Sequence, residues 1–294
     1  MRFYITGGTG YIGSSIAKRL IEDDHKVAIL KREHSDLSYL SEIEEQISFF
    51  NYSGTYRSVD ESVGHFKPDM ALHFASYYTF DHTPDDLDTL IDSNIRLGLY
   101  LAEALVQHQV QYLINTGTSF EHFTNCDYRP VNLYAATKQA FQNLLEYYSD
   151  SNKISAITLK LFDTYGPRDK RGKLIELLKK SIKTKQEINL SGGEQLLDFV
   201  HIDDVVEAFL VSVRLIQSRE AGFKQEYGIS SDETLSLKKL VSLIEEIRGE
   251  ALNVNFGVRP YREREVMVPW SDFEPLDGWK PVIGLREGLK AILN

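Results

Sequence analysis

The sequence predicts an α/β protein built on a doubly wound parallel sheet, with a smaller α/β lobe towards the carboxyl end. Three observations support this prediction. Short apolar runs alternate with helix-period segments over the first half of the chain, a glycine-rich turn follows the first run, and the alternation stops after Tyr165-Gly166-Pro167. Segments that alternate in this way form a parallel sheet with helices on both of its faces.

The alternating elements follow a regular order up to residue 161. The predicted strands are rich in β-branched and aromatic residues, and they are RFYIT, KVAIL, ISFF, DMALHFA, QYLINT and ISAITLKLF. The predicted helices carry apolar residues every three or four positions, and they are IGSSIAKRLIED, NIRLGLYLAEALVQH and YAATKQAFQNLLEYYS. We interpret residues 1–165 as a dinucleotide-binding domain with a Rossmann sheet, because folds of this class bind dinucleotides at the strand ends.

The second half of the chain is less regular. A basic helix is predicted over residues 174–185 and another near residues 235–248, and the carboxyl end is rich in Pro, Trp and Arg. We expect residues 195–228, which contain the run DFVHIDDVVEAFL, to return to the large sheet. Residues 166–194 and 229–294 would then form the smaller lobe, which we expect to bind substrate.

Composition limits the possible partners. The chain has 294 residues, 43 acidic and 33 basic side chains and a formal net charge of -10, which argues against binding to nucleic acid or to an anionic membrane. Cys126 is the only cysteine, so neither an intrachain disulfide nor a thiolate metal cluster can form. The opening MRFYITGG leaves no room for a signal region, and no apolar run approaches about 20 residues, so we expect a cytoplasmic protein.

A glycine-rich turn joins the first predicted strand to the first predicted helix. Gly7, Gly10 and Gly13 recur every three residues, and Thr9, Tyr11 and Ile12 lie between them. The first glycine permits a tight turn, the second lets the backbone approach a pyrophosphate, and the third lets helix and strand pack closely. Free N–H groups at the helix start favour phosphates. This turn predicts a bound dinucleotide.

The end of the second predicted strand indicates which dinucleotide is bound. An acidic residue there binds the ribose 2′-hydroxyl of NAD, whereas a basic residue meets the 2′-phosphate of NADP. The sequence has Lys31 and Arg32 at this point, and the first acid is Glu33. We therefore favour NADP(H), with NAD(H) as the alternative.

Tyr134 and Lys138 are four residues apart and lie on one face of a predicted helix. A free phenol has a pKa of about 10, and a nearby positive charge lowers it. Such a tyrosine can give a proton to a carbonyl that receives hydride. The strand before this helix ends in INTGT, which could bring a hydroxyl beside the tyrosine.

Six segments in this order resemble the extended short-chain dehydrogenase/reductase superfamily of nucleotide-sugar epimerases, dehydratases and reductases. They are TGGTGYIG, LHFAS, SNIRLG, YAATK, LFDTYGPRD and DFVHIDDVVEAF. The resemblance implies that Tyr134 donates the proton, that Lys138 binds the nicotinamide ribose, and that Asn94 supports the site. The other cofactor contacts that it implies are Asn51, Tyr52, Phe74, Ala75, Ser76, Tyr77, Thr116 and Leu161.

Some positions depart from the pattern of this superfamily. Asp163 replaces a frequent Asn that holds the substrate diphosphate, and Leu197 replaces a frequent Arg. Four arginines remain as candidates for the phosphates or as solvated surface residues, namely Arg168, Arg259, Arg262 and Arg264. The substrate contacts we predict are Tyr77, Thr118, Ser119, Phe120, Asp163, Arg168 and Arg262. We expect His73, His122 and His201 to be structural, because their spacing suggests no metal site.

The residues after the fifth strand bear on the reaction. Thr118 falls on the catalytic Ser or Thr of the superfamily, and its hydroxyl would orient the reacting oxygen. The sugar dehydratases continue with an Asp-Glu pair, whereas this chain has Ser119-Phe120, and a phenyl ring cannot transfer protons. We expect Glu121 to cap local backbone.

A reductase and an epimerase remain open for this site. Lys31 and Arg32 favour net reduction by NADPH, and the chain resembles the CDP-linked 4-keto-6-deoxyhexose reductases, a group that includes the CDP-abequose and CDP-paratose synthases. We therefore predict reduction of the C4 ketone of a nucleotide-linked 4-keto-6-deoxy sugar. The alternatives are a nucleotide-sugar epimerase with tightly bound NAD and a non-catalytic dinucleotide sensor.

The helices over residues 94–108 and 134–149 carry apolar residues on more than one face. Surplus apolar surface on such helices suggests burial against another subunit. The resembled family forms a four-helix dimer interface with these helices. We therefore predict a homodimer, with coverage by the smaller lobe as the alternative.

Overall fold

Seven parallel strands form the large sheet of the protein. In this computed structural model, which describes residues 1–293, they are β1 (Arg2–Thr6), β2 (Lys26–Lys31), β3 (Ile47–Asn51), β4 (Met70–His73), β5 (Tyr112–Thr118), β6 (Ser155–Leu161) and β10 (Lys224–Ile229). Their order is β10-β6-β5-β4-β1-β2-β3, and each neighbouring pair is parallel. The predicted doubly wound parallel sheet is confirmed. Asn294, the last residue of the predicted smaller lobe, lies outside the described residues.

Helices cover both faces of this sheet. They are α1 (Tyr11–Glu22), α2 (Tyr56–Phe66), α3 (Leu87–Ile91), α4 (Leu97–Gln107), α5 (Leu133–Asp150) and α7 (Ile202–Gln217), and a π-helical segment (Asp92–Arg96) joins α3 to α4. Successive strand residues face opposite sides, so Phe3 and Ile5 belong to the core under α1 and α7 while Tyr4 belongs to the core under α2, α4 and α5. Both faces are therefore buried, as a parallel sheet requires.

The smaller lobe has its own core. Its strands are β7 (Asp163–Tyr165), β8 (Ile188–Asn189), β9 (Leu196–His201), β11 (Thr234–Ser236) and β12 (Val254–Asn255), and its helices are α6 (Leu174–Thr184), α8 (Leu237–Arg248) and α9 (Leu285–Leu293). The strands form a three-stranded sheet, β11-β9-β7, and the pair β12-β8. Leu178, Leu240 and Leu289 are fully buried between the helices.

The segment DFVHIDD differs from the expectation that it joins the large sheet. Its strand β9 pairs with β7 in parallel and with β11 in antiparallel orientation. The chain leaves the large sheet after β6. Strand β9 pairs with β7, so both strands belong to the three-stranded sheet of the smaller lobe. The next two elements do return: α7 packs on the sheet beside α1, and β10 pairs along β6 from Lys224 to Ile229.

Candidate active site

A cavity of about 1110 Å³ opens at the carboxyl ends of the large sheet. The glycine turn lines one end, and residues of the smaller lobe, including Arg259, Arg262 and Trp270, line the other. Ligands of doubly wound sheets bind at this edge, because the loops that follow the strands converge there. The predicted site residues on its wall are Gly7, Gly10, Tyr11, Ile12, Gly13, Phe74, Ser76, Thr116, Thr118, Ser119, Phe120, Tyr134, Leu161, Asp163 and Arg262.

The glycine turn leaves no room for side chains at two of its three positions. Gly7 has a φ of +69°, and a Cβ there would lie 2.4 Å from the backbone N of Ala75; a Cβ on Gly13 would lie 2.4 Å from the carbonyl oxygen of Gly7. Gly10, which lines the cavity, is different, because a Cβ there would meet only the Gly7 oxygen, at 3.4 Å. Helix α1 begins directly after Gly10 without a side-chain cap, and its first turn holds no acidic residue. Its free N–H groups are suited to phosphate.

The basic residues that we predicted to select the cofactor lie at the adjoining strand ends. Lys31 ends β2 and pairs in register with Asn51, which ends β3. The Lys31 ammonium donates to the Asn51 side-chain oxygen at 3.2 Å, and the Tyr52 amide donates to the Lys31 carbonyl oxygen. Arg32 is exposed. Lys31, Arg32, Asn51 and Tyr52 therefore form one group beside the glycine turn, outside the cavity wall.

Tyr134 and Lys138 lie one turn apart at the start of α5. The Asn132 side chain caps this helix by accepting from the Ala135 amide at 2.9 Å, which fixes where the helix begins. Tyr134 lines the cavity, and its ring packs edge-on against Tyr78 at 5.0 Å. Lys138 lies beneath it and is buried.

Electrostatics at this pair differ from the expectation that Lys138 lowers the phenol pKa. Burial raises the pKa of the Tyr134 phenol above its ordinary value, and a contact with Ser76 opposes this only in part. Burial also lowers the pKa of Lys138 to about 8. Removal from water is the largest cause of both shifts, so Tyr134 is a protonated phenol at neutral pH.

The site contains polar atoms that fit a cofactor. Among the described residues, neither the buried Lys138 ammonium nor the buried Thr116 hydroxyl has a hydrogen-bond partner. Buried polar groups are otherwise almost always paired, so each unpaired one calls for a ligand or water. A buried, unpaired ammonium one turn from Tyr134 fits the ribose hydroxyls of a dinucleotide whose pyrophosphate would lie on the uncapped start of α1.

Thr118 ends β5 and begins a short turn. Its hydroxyl accepts from the Phe120 amide at 3.3 Å, and its own amide donates to the Glu121 carboxylate at 2.9 Å. The expectation that Glu121 caps local backbone is confirmed. The Thr118 hydroxyl proton remains available for an oxygen in the cavity. Phe120 also lines the cavity, with its ring 6.0 Å from Phe80.

Asn94 supports the site from the π-helical segment. It is fully buried, and its side chain accepts from the Tyr77 amide at 2.7 Å and donates to the Tyr77 carbonyl and to Thr137. The loop after β4 is thereby fixed to α5. The predicted Tyr77 side-chain contact needs correction: its hydroxyl donates to Asp86 at 2.7 Å and lies off the cavity wall, whereas Tyr78 faces the cavity. Strand-end counting cannot separate two adjacent tyrosines in a loop.

The end of the cavity beside the smaller lobe, which is the proposed substrate end, holds two charged side chains that no sequence pattern indicated, Lys173 and Arg171. Lys173 pairs with Asp163 at 2.8 Å, and both line the cavity. Arg262 stacks on the Phe80 ring at 3.8 Å. Arg168 is a correction, because it points to Glu42 at 3.5 Å and does not line the cavity; Arg171 does so instead. The chain spacing near Pro167 gives no sign of which basic side chain turns inward.

The three histidines that we expected to be structural each have a partner within the protein. His73 lies 2.6 Å from the Thr6 hydroxyl, and burial lowers its pKa to about 3. His201 accepts from the Asp203 amide, and His122 contacts Lys160. No group of three or more metal-binding side chains occurs within residues 1–293. Within the same residues, no helix is long and apolar enough to cross a membrane.

The model of the NAD dependent epimerase/dehydratase family matches residues 3–226. The chain belongs to this family. A CDP-abequose synthase of Yersinia pseudotuberculosis is 32% identical over 280 residues, which cover 92% of each chain. A CDP-abequose synthase of Salmonella muenchen is 24% identical and covers 100% of this chain and 97% of its own. The prediction of an NAD(P)-dependent enzyme of the extended short-chain dehydrogenase/reductase type is confirmed.

Solved structures share the fold. The UDP-glucose 4-epimerase of Thermotoga maritima, determined with UDP-glucose, has a TM-score of 0.88 at 21% identity and covers 100% of this chain and 97% of its own. The UDP-glucose 4-epimerase of Thermus thermophilus, determined with NAD, has a TM-score of 0.85 at 24% identity, over 100% and 98% of the two chains. The chain therefore shares its fold with these two structures over both the large sheet and the smaller lobe.

Proposed function

We propose that the protein uses NADPH to reduce the C4 ketone of a nucleotide-linked 4-keto-6-deoxy sugar. The observation that carries the proposal is the wall of the cavity around Tyr134. Thr118 and Tyr134 supply a hydroxyl and a protonated phenol, while Phe120 stands where a dehydratase needs an acid. The likeness to CDP-abequose synthases over nearly the whole chain supports the same substrate class.

Each residue of the site has a distinct part in this reaction. NADPH, when bound, supplies the hydride that adds to the ketone carbon. The Thr118 hydroxyl donates to the ketone oxygen and orients it, and the Tyr134 phenol gives its proton to that oxygen as the carbonyl bond becomes a C–O–H group. Lys138 holds the ribose and the charge beneath the phenol. The phenol begins protonated, as a proton donor must.

The cavity divides into regions that suit the parts of such a substrate. We propose that residues 166–194 and 229–293 bind the nucleotide and diphosphate, for which Lys173, Arg259 and Arg262 are the basic candidates on the wall. Aromatic and apolar residues line the wall near Thr118, and they are Phe80, Phe120, Phe123, Val131 and Trp270. An apolar wall favours a methyl group over a hydroxymethyl group at C6, because a buried hydroxyl there would have no partner.

A direct assay tests the proposal. Wild-type protein is incubated with NADPH and a panel of nucleotide-linked sugars with CDP, UDP, GDP or dTDP, each as the 4-keto-6-deoxy form. We expect loss of NADPH absorbance with at least one of them, and a loss of about 10³-fold in kcat for Tyr134→Phe, the range for removal of a general acid. NADPH consumption with none of these ketones would refute the reductase.

The choice of cofactor has a separate test. We propose that Lys31 and Arg32 bind the 2′-phosphate, because they are the basic side chains at the end of β2. Replacing both with alanine should lower the preference for NADPH over NADH about tenfold or more, by loss of charge-assisted hydrogen bonds. Equal use of NADH and NADPH by the wild type would contradict the assignment.

A 4-epimerase is the second candidate. The supporting observation is the fold shared with UDP-glucose 4-epimerases, one of them determined with NAD. An epimerase retains its NAD through each turnover, so the purified protein would carry about one NAD per chain and would interconvert sugars without added cofactor. The reductase predicts a cofactor-free protein that needs added NADPH.

We also propose a homodimer through α4 and α5. Several apolar side chains on this surface stay at least partly exposed in the single chain: Ile95, Leu99, Tyr100, Leu144 and Tyr147. Tyr147 is 62% exposed, which is unusual for a large aromatic residue on a packed layer. Sedimentation at micromolar concentration should give twice the chain mass, and a monomer mass would refute the dimer.

A further inference from the structure

Behind the cavity wall lies a buried charge cluster that the proposed reaction does not use directly. Its centre is Lys160 on β6, whose side chain is 1% exposed. The ammonium lies 3.1 Å from Glu121 and 2.6 Å from Glu226, and it donates to His122 at 2.8 Å. The Glu121 and Glu226 carboxylates lie within ion-pair distance of the ammonium, and its hydrogen bond goes to the His122 ring nitrogen. Removal of one partner from such a buried group leaves the other charge uncompensated.

Glu121 connects this ammonium to Thr118. One carboxylate oxygen faces Lys160 and the other accepts from the Thr118 amide at 2.9 Å. Glu121 is fully buried; burial raises its pKa, and Lys160 opposes that shift. The packing is close, because a Cβ on Gly117 would lie 3.0 Å from the Lys160 side chain and 3.2 Å from the Glu121 carboxylate. The Thr118 amide thus donates to a carboxylate whose other oxygen faces Lys160.

His122 connects the same ammonium to the opposite wall of the cavity. Its Nδ1 lies 3.1 Å from the Cys126 carbonyl oxygen and its Nε2 faces Lys160, so Nδ1 carries the hydrogen and Nε2 accepts. The imidazole stacks on Trp270 with 3.8 Å between ring centroids and 9° between planes. Trp270 comes from the smaller lobe and lines the cavity.

We propose that Lys160 is a positioning residue for the reaction, which holds Thr118 through Glu121 and Trp270 through His122. The inference rests on the proposed function, in which Thr118 orients the ketone oxygen beside the apolar wall. One buried side chain would thereby fix the distance between the orienting hydroxyl and the wall that the sugar contacts. Displacements of about 1 Å at such a site are costly for the rate.

The test compares three variants: Lys160→Met, Glu121→Gln and the double variant. Lys160→Met leaves Glu121 without its counterion. Glu121→Gln leaves one acceptor oxygen in place of two, so it cannot face Lys160 and also accept from the Thr118 amide. In the double variant that oxygen is free for Thr118 alone. We expect each single variant to lower kcat about tenfold with an unchanged KM for NADPH, and the double variant to recover to within about threefold of wild type.

Two further measurements separate positioning from stability. Lys224→Met is the matched control, because it removes a lysine–glutamate pair of 2.6 Å from the neighbouring strand β10, and it should leave kcat unchanged. Hydrogen exchange of a peptide over residues 116–122 should accelerate in both single variants and slow again in the double variant, whether or not the protein turns over.

The outcomes decide between the two proposals. If the wild type reduces no keto sugar while the exchange pattern holds, the proposed function fails and the role of Lys160 in holding Thr118 stands. If turnover is present and kcat of the folded single variants stays within twofold of wild type, the positioning role is refuted. If Lys160→Met does not fold, the double variant must be more active than Glu121→Gln; equal or lower activity refutes the role.

Discussion

The two ends of the cavity are built in different ways. At the cofactor end, Gly7, Gly10 and Gly13 lie within seven consecutive residues, and the groups that would face a phosphate are backbone amides. At the substrate end, the wall combines side chains far apart in the chain, such as Phe80 against Arg262. Backbone geometry is fixed by a short motif, whereas a side-chain wall depends on how distant loops pack. The cofactor end should therefore tolerate little change, and the substrate end should determine specificity.

The largest expected effect on cofactor affinity comes from a substitution in the glycine turn that should leave the protein folded. Gly10→Ala adds a methyl group that meets no neighbour closer than 3.4 Å, on a residue that lines the cavity. We expect it to weaken NADPH binding about 100-fold, because the backbone can no longer approach the pyrophosphate, with little change in thermal stability. Fluorescence titration with NADPH measures the effect.

Gly284→Ala is the control for this change, since a Cβ there meets nothing within 4 Å. It should leave NADPH affinity as in the wild type. An NADPH affinity of Gly10→Ala equal to that of the wild type would contradict a pyrophosphate bound at the glycine turn.

A second variant tests whether the buried Lys138 ammonium lowers the stability of the cofactor-free protein. Lys138→Met removes a buried ammonium without a partner, so we expect it to stabilise the cofactor-free protein at pH 7 by about 2 kcal/mol while it abolishes turnover. The folded-state pKa of about 8 lies below the ordinary 10.5. At a pH between these two values the unfolded chain binds more protons than the folded chain. The free energy of unfolding of the wild type therefore rises with pH, and the stability difference between the variant and the wild type becomes smaller.

Urea denaturation at pH 7 and at pH 10 measures this difference in the free energy of unfolding. A variant that is less stable than the wild type at pH 7 would show that the ammonium is paired in solution.

The smallest effect probes the substrate end. Arg262→Ala removes a guanidinium that is half exposed and stacked on Phe80. We expect about a tenfold rise in KM for the nucleotide sugar, with kcat and the KM for NADPH unchanged, because we assign Arg262 to the nucleotide and diphosphate and no proton transfer to it. Steady-state kinetics with each substrate varied in turn checks this. An equal rise in the KM for NADPH would show that Arg262 affects both ligands, and this would contradict separate cofactor and substrate ends.

Sequence patterns located the elements around the glycine turn and Tyr134, and the binding and catalytic roles of their residues stay predictions. The glycine spacing, the Tyr134–Lys138 pair and the strand end at Thr118 are local, so a few neighbouring residues specify them. The directions of loop side chains were harder to predict. We predicted contacts from Tyr77 and Arg168, whereas Tyr78 and Arg171 line the cavity. In loops, adjacent side chains have no fixed alternation, and their direction depends on contacts such as the one from Tyr77 to Asp86.

The sequence by itself determined the parallel sheet, the glycine turn and the residue types available for proton transfer, because these follow from periodicity and from chemistry within short segments. Only the tertiary structure decided which charges meet. Lys160 lies within a predicted strand and gave no signal, yet the fold buries it against Glu121, Glu226 and His122. Burial likewise set the pKa of Tyr134 and of Lys138. Desolvation and long-range pairing arise only when distant segments come together, and no local pattern encodes them.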